Sequence, residues 1–408
     1  MRWLTPISAE RKHLQRFYGA SFLAEATNMA MPFKVLLAAR YLGAERLAIV
    51  LAVEQCVALF LQVPVGAWAD RFGRKKCVVA GHLIVVLGWM LVPAASWLHG
   101  LERWGLVALA FALLGAGAAL ITGIQEAWAV DNLRACLRPD LVSRYFGRDR
   151  FWASAGGIVA NLLTLALVAK VDIRLFWIVT GLGEVLAALV LASVPECIPE
   201  IVASPEPLPT TRRSSASLLR AHPELVSLAL VLTWVAATFG MSTETFQLAL
   251  SGTRLSEHGF ALLELAVNIL GAVAPLAAIA LLERFEAKRL LLAAILGAAL
   301  VALSLAAGAR LGHLVTTYLL VRTLVRIFHT VADDFQHRLM TSAHRATASS
   351  AINFVAGLAQ LGSALAVAYL LHVVSAPAVL ALMGILALPV VLLLMPPATK
   401  PIMQNAEC

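Results

Sequence analysis

The chain has 408 residues, of which 60% are hydrophobic and only 14% charged, and its mean hydropathy is +0.83. A soluble domain carries about a quarter charged residues, so a water-exposed globular fold is excluded, whereas helices that satisfy their own backbone hydrogen bonds in lipid are not. The net charge of +8 does not mark a nucleic-acid binder either, because the basic residues fall in short clusters between apolar runs, as in loops held at an anionic membrane face.

A helix that crosses about 30 Å of hydrocarbon needs about 20 apolar residues. Taken in chain order, the apolar runs predict twelve spans: 14–39, 46–69, 77–98, 103–129, 150–170, 173–194, 223–248, 257–282, 289–309, 311–332, 346–371 and 375–396. Cys77–Leu101 and Trp104–Gln125 contain no Asp, Glu, Lys or Arg. Ala346–Thr399 is also free of them but too long for one crossing, and His372–Pro377 supplies the reversal. With the N-terminus inside, basic residues on the inner side outnumber those outside by about three to one, the asymmetry of a chain with both termini in the cytoplasm. The first residues, with Glu10, Arg11, Lys12 and Arg16 and no small-residue cleavage site, predict no cleaved signal peptide.

Between the sixth and seventh spans, Pro195–His222 is rich in proline, serine and mixed charge, the composition of a linker. The expected organisation is therefore a six-helix half over residues 1–194, a cytoplasmic linker over 195–222 and a second six-helix half over 223–408. "DRFGRKK" (Asp70–Lys76) after the second span and "ERFEAKR" (Glu283–Arg289) after the eighth echo one another at equivalent places, consistent with a duplicated unit.

The loop Gly66–Lys76, "GAWADRFGRKK", has to reverse the chain tightly. Gly73 is expected to supply a positive φ angle, and Gly66 to let another helix come close. Asp70 opposes the charge bias of an inner loop and so needs a reason of its own. These residues resemble the signature loop of the major facilitator superfamily, with Gly66, Asp70, Arg71, Gly73, Arg74 and Lys75 on its fixed positions. "TGIQEAWAVDNL" (Thr122–Leu133) and the Arg345–Ala346–Thr347 run are similar to stretches in the drug-efflux branches. The resemblance implies an all-α membrane fold of twelve transmembrane helices in two halves that rock against each other. It also implies a gate in which Asp70 meets the N-terminus of helix 11 and Arg74 pairs with Asp131. Two features depart from the proton antiporters of the family. Phe111 stands where they carry an arginine ahead of the Gly115–Ala119 run, and Gly156–Gly157 lack the proline expected after them.

Ionisable groups at membrane depth need a reason, because each costs a few kcal/mol. Glu25 and Asn28 share one face of the first helix, and Glu25 is the leading candidate for proton coupling or for holding a cationic substrate. Arg322 and Arg326, four apart on the tenth span, share a face and require counter-charges, from among Glu25, Glu126, Glu244 and Glu264, or a substrate anion. Glu126 and Asp131 lie near the inner boundary. Glu244, Glu257, Glu264 and Lys34 are expected to snorkel outward, and Trp97, Trp104 and Trp128 to anchor at the interface. Glu184 lies mid-span with no partner evident.

No metal ligand set, Ser-His-Asp arrangement or phosphate-cradling loop is present in the sequence, so neither an enzyme nor a cofactor or metal is expected. The five cysteines are scattered and read as ordinary thiols. The leading functional expectation is a secondary transporter that exports small, partly apolar molecules by proton antiport. The alternative is an uptake permease or symporter for a small anionic nutrient, and behind it a non-transporting sensor or scaffold. The expected partners are a small-molecule substrate, protons and the lipid bilayer, with the chain monomeric in a bacterial cytoplasmic membrane.

Overall fold

The computed structural model describes residues 8–138, 141–195, 223–339 and 345–390. The expected linker, apart from Pro195, and both termini lie outside the described residues. Within them every regular element is helical. Nine stretches, from Arg74–Trp97 to Phe354–Val373, are long and apolar enough to cross a bilayer. The expected second and last spans contain shorter apolar helices, Ile49–Gln62 and Ala376–Ala387.

The predicted first span is divided in two. Helix α1 (Ser8–Ala26) ends before a 3-10 turn at Met31–Phe33, and α2 (Lys34–Leu42) continues beyond it. Pro32 in that turn has no N–H to give an α-helical ladder. The groups freed by the break are taken up by Thr180, whose Oγ1 accepts from the Ala30 N–H at 3.1 Å and donates to the Thr27 carbonyl at 3.0 Å. In lipid such local repair is what makes a break tolerable.

Helix α3 (Ala44–Phe72) and α4 (Arg74–Ala94) are joined by Gly73 alone, with φ +94°. The fourth predicted span is also split, into α5 (Gly100–Ile121) and α6 (Ile124–Ala135), around Gly123 at φ +81°. Helices α7 (Val142–Leu167) and α8 (Ile173–Ala192) follow, the latter capped by Asp172, whose side chain accepts from the Arg174 N–H. In the second half the seventh span breaks between α9 (Pro223–Phe239) and α10 (Ser242–Ser251). Gln360 Nε2 donates to the Gly240 carbonyl there at 3.3 Å. The remaining helices are α11 (Glu257–Leu282), α12 (Ala287–Leu303), α13 (Leu311–Leu339), α14 (Arg345–Val373) and α15 (Ala376–Ala387).

Small residues set how closely these helices pack. A Cβ on Gly115 would lie 2.3 Å from the Glu54 carbonyl oxygen, and one on Gly117 2.4 Å from Val85 Cγ2. The glycine-alanine run of α5 is thus what lets α5 fit against both α3 and α4. Gly66, expected to serve the same end, has nothing within 4 Å of a Cβ built on it. That expectation is corrected: its flank of α3 faces open space.

Helices before residue 195 pack chiefly among themselves, α4 against α5 and α8, and α1 against α7 and α8. Those after 223 do likewise, α13 against α11 and α12, and α9 against α14. Pairings that cross between the groups include α3 with α14, α7 with α11, α2 with α10, and the Met31–Phe33 turn with α11. Leu83, Leu87, Leu182, Leu186, Leu276 and Ile279 point outward and exposed, as a lipid-facing surface requires. Trp128 is not an interface anchor; it is buried in the core with its ring centroid 4.9 Å from that of Phe17. Trp97, by contrast, is 80% exposed.

Candidate functional site

The break at Gly240 and three ionisable side chains, Arg322, Arg326 and His329, meet at a cavity of about 230 Å³ set among α9, α10, α11, α13 and α14. Its polar lining includes Thr243, Asn268, Arg322, Arg326, His329 and Gln360. Arg322, Arg326 and His329 recur at helical spacing, so one face of α13 delivers all three. Gly240 at the helix break and Gly271 on α11 leave room beside them; a Cβ on Gly271 would sit 3.6 Å from an Arg326 guanidinium nitrogen.

The two arginines differ in their partners. Arg322 Nη1 donates to Thr243 Oγ1 at 2.7 Å, while its Nε is buried without a hydrogen-bond partner. Its charge is shared with Glu244, and Tyr318 feels Arg322, Glu244 and Glu264 together. Arg326 makes no ion pair among the described residues, and the charges acting on it are those of Arg322 and Arg150, both cations. The supply of four possible counter-ions is therefore narrower than expected. Glu25 and Glu126 do not line the cavity. Glu264 is buried, with Oε1 accepting from Gln247 Nε2 at 2.9 Å and from the Tyr318 hydroxyl at 2.8 Å.

Snorkelling does not describe these acids or Lys34. Lys34 Nζ donates to both oxygens of Glu54 at 2.7 Å, in a pair whose side chains are only 13% and 15% exposed. The same ammonium stands 5.2 Å over the ring of Phe111, so a cation from α2 occupies the neighbourhood where an arginine on α5 is wanting. Glu257 is bound to Arg40 at 2.7 Å, across from α2 to α11. Glu184, left without a partner by the sequence, lies 2.6 Å from His82 Nδ1.

Glu25 accepts from Asn28 Nδ2 at 3.4 Å, and α7 runs against it: a Cβ on Gly156 would be 3.0 Å from Glu25 Cβ. Glu126 is exposed. Its neighbour Gln125 donates to Ser21 Oγ at 3.4 Å, which in turn donates to Asp149 Oδ1 at 2.7 Å. Asp149 was missed because it sits among basic residues at a span boundary. At the inner loop, Arg74 Nη1 donates to Asp131 Oδ2, Lys75 Nζ donates to the Val194 carbonyl at 2.7 Å, and Arg71 is exposed. The Asp70 side chain and those opening α14 lie outside the described residues.

Membrane-length helices with a polar, charged cavity among those after residue 223 point to a membrane transport protein. A model described as Major Facilitator Superfamily matches residues 17–332, and the chain belongs to that superfamily. Among solved structures, the nucleoside transporter NupG is similar at 15% identity, covering 93% of this chain and 98% of its own, with a TM-score of 0.71. A D-xylose-proton symporter is similar at 14% identity over 94% of this chain and 97% of its own, with a TM-score of 0.68. An auto-inhibited POT family peptide transporter shares 12% over 94% and 96%, with a TM-score of 0.70. At these identities the likeness is one of fold. No curated protein matches significantly.

Proposed function

We propose that this chain is an alternating-access transporter that takes up a small organic anion, held in the cavity by Arg322 and Arg326, in symport with protons. The observation that carries the reading is Arg326, a cavity-lining guanidinium that makes no ion pair among the described residues and has Arg322, a like charge, one turn away on the same helix. Arg326 is exposed, and its planar guanidinium can form bidentate hydrogen bonds to an anionic substrate group. A lining of Thr243, Asn268 and Gln360 beside the arginines suits a polar solute better than the partly apolar cargo of an exporter. The symport reading also agrees with one of the similar structures being a D-xylose-proton symporter.

In this reading Gly66, Asp70, Arg71, Gly73, Arg74 and Asp131 form the inner gate. Glu25 with Asn28 is the proton-coupling candidate inherited from the sequence. The test is uptake of radiolabelled mono- and dicarboxylates, sugar acids and phosphate esters into proteoliposomes, with and without an inward proton gradient. Gradient-driven accumulation of one anion class, lost in Arg326→Ala, is the expected outcome. Export of lipophilic cations from the same vesicles, unaffected by Arg326→Ala, would instead restore the antiport reading.

A further inference from the structure

Glu244 occupies a place that no part of the gate or the anion reading uses. It sits in the first turn of α10, just after the break at Gly240, and its Oε2 is buried with no hydrogen-bond partner. Its carboxylate leans on its own backbone N–H. The charges around it come from both halves: Lys34 on α2 and Glu54 on α3 from the first, Arg322 on α13 from the second. Lys34 is already held by both oxygens of Glu54, so that pair offers Glu244 little net charge. Arg322 spends one nitrogen on Thr243 and faces the cavity. Tyr318 and Glu264 complete the polar groups nearby and satisfy each other. Helix α15, which also packs on α10, carries no titratable side chain.

Helix α2 packs against α10, and the Arg40–Glu257 pair also joins the two groups of helices. An unpartnered carboxylate oxygen taken out of water is costly unless it binds a proton or finds a donor. We propose that Glu244 is a proton-binding site of the transporter, loaded from the outer water and sealed when α2 closes onto α10. The transfer is simple: one proton moves from water to the carboxylate, which becomes a neutral carboxyl. Two things follow. The neutral group tolerates burial, so protonation favours the closed outer side. Arg322 no longer shares its charge with a carboxylate, so Arg322 and Arg326 together present a stronger field to an anion. Proton binding thereby precedes and strengthens anion binding. This second consequence rests on the anion reading above; the first does not.

The experiment uses the full chain in liposomes and needs no substrate. Spin labels at Arg46→Cys and Arg254→Cys, exposed positions at the outer ends of the two halves, report the outer gap in a background without the native cysteines. Raising the pH is expected to widen the distance distribution. Glu244→Gln is expected to stay closed across the whole range. In parallel, infrared difference spectra of the otherwise unmodified protein should show a protonated-carboxyl band that titrates with pH and is missing in Glu244→Gln. A Glu244→Gln protein that opens with pH as the parent does, or a band that survives the change, overturns the proposal. Failure of these tests leaves the anion reading standing, because that is decided separately by uptake in Arg326→Ala.

Discussion

His82 Nδ1 lies 2.6 Å from Glu184 Oε2, joining α4 to α8 in a pair whose side chains are 6% and 14% exposed. The helices meet closely at this depth, and the pair answers what a carboxylate is doing in the middle of the sixth span. Removing one partner of a buried pair strands the other, at a cost of about 3–5 kcal/mol. His82→Ala should therefore lower the unfolding temperature in detergent markedly. The double change to His82→Leu and Glu184→Leu should recover most of that loss. Equal thermal stability of His82→Ala and the parent would show that the pair contributes nothing to the fold.

The inner gate separates stability from transport. Arg74 and Asp131 are 30% and 44% exposed, and a half-exposed pair is worth roughly 0–1 kcal/mol. Asp131→Asn should leave abundance and thermal stability near normal while transport falls at least tenfold. Arg74→Gln should behave alike, and the double change should be less than additive. Additive losses, measured as initial rates in proteoliposomes, would mean the two residues act independently.

Across the outer side, Arg40 and Glu257 form a half-exposed pair between the halves. Arg40→Glu places like charges together and should favour an open outer side. Restoring the attraction with Arg40→Glu and Glu257→Arg should close it again. Labelling of a single cysteine at Thr253 by an impermeant thiol reagent measures this; no difference among the three proteins would remove the pair from gating.

The two cavity arginines should part company. Arg326 makes no ion pair among the described residues, so Arg326→Ala should leave stability unchanged or raise it while abolishing anion uptake. Arg322→Ala removes the donor to Thr243 and leaves Glu244 with less compensation, so it should lower stability and transport together. Thermal unfolding alongside uptake distinguishes the patterns.

Topology follows from the basic loops and can be tested directly. Cysteines placed at Ser214 and Ser342 should resist an impermeant reagent in intact cells, whereas one at Arg254 should react. Reaction at Ser214 from outside would invert the arrangement.

Much of the fold could be read because it is written locally. Apolar runs mark membrane helices without reference to their neighbours, and the one-residue joint at Gly73 needs the left-handed backbone that its place in the loop suggested. The breaks in the first and seventh spans were overlooked, although Pro32 and Gly240 stand at them, because an apolar run does not say whether its helix is continuous. Pairings such as Lys34 with Glu54 or His82 with Glu184 join residues 20 and 102 apart, and no local pattern reports which lipid-depth charges meet. By sequence alone Lys34 is expected to snorkel to water, and Glu184 has no partner evident. His329 was legible in principle, since it shares the helical period of Arg322, but a single histidine on an apolar helix draws no notice by itself.

Helices α3 and α14, which face each other between the halves, each run 29 residues without interruption. At about 1.5 Å per residue that is about 43 Å, against a hydrocarbon thickness of about 30 Å. Several turns must therefore stand in the headgroup layer or be accommodated by tilt. An overhang at the C-terminal end of α3 would carry Asp70 and Arg71 and lead into Arg74, Lys75 and Lys76, which would set the proposed gate among lipid phosphates rather than in bulk water. Its rate should respond to the surrounding lipids, faster or slower as acidic headgroups compete for those side chains, and to acyl-chain length, which sets how much of each rod remains outside.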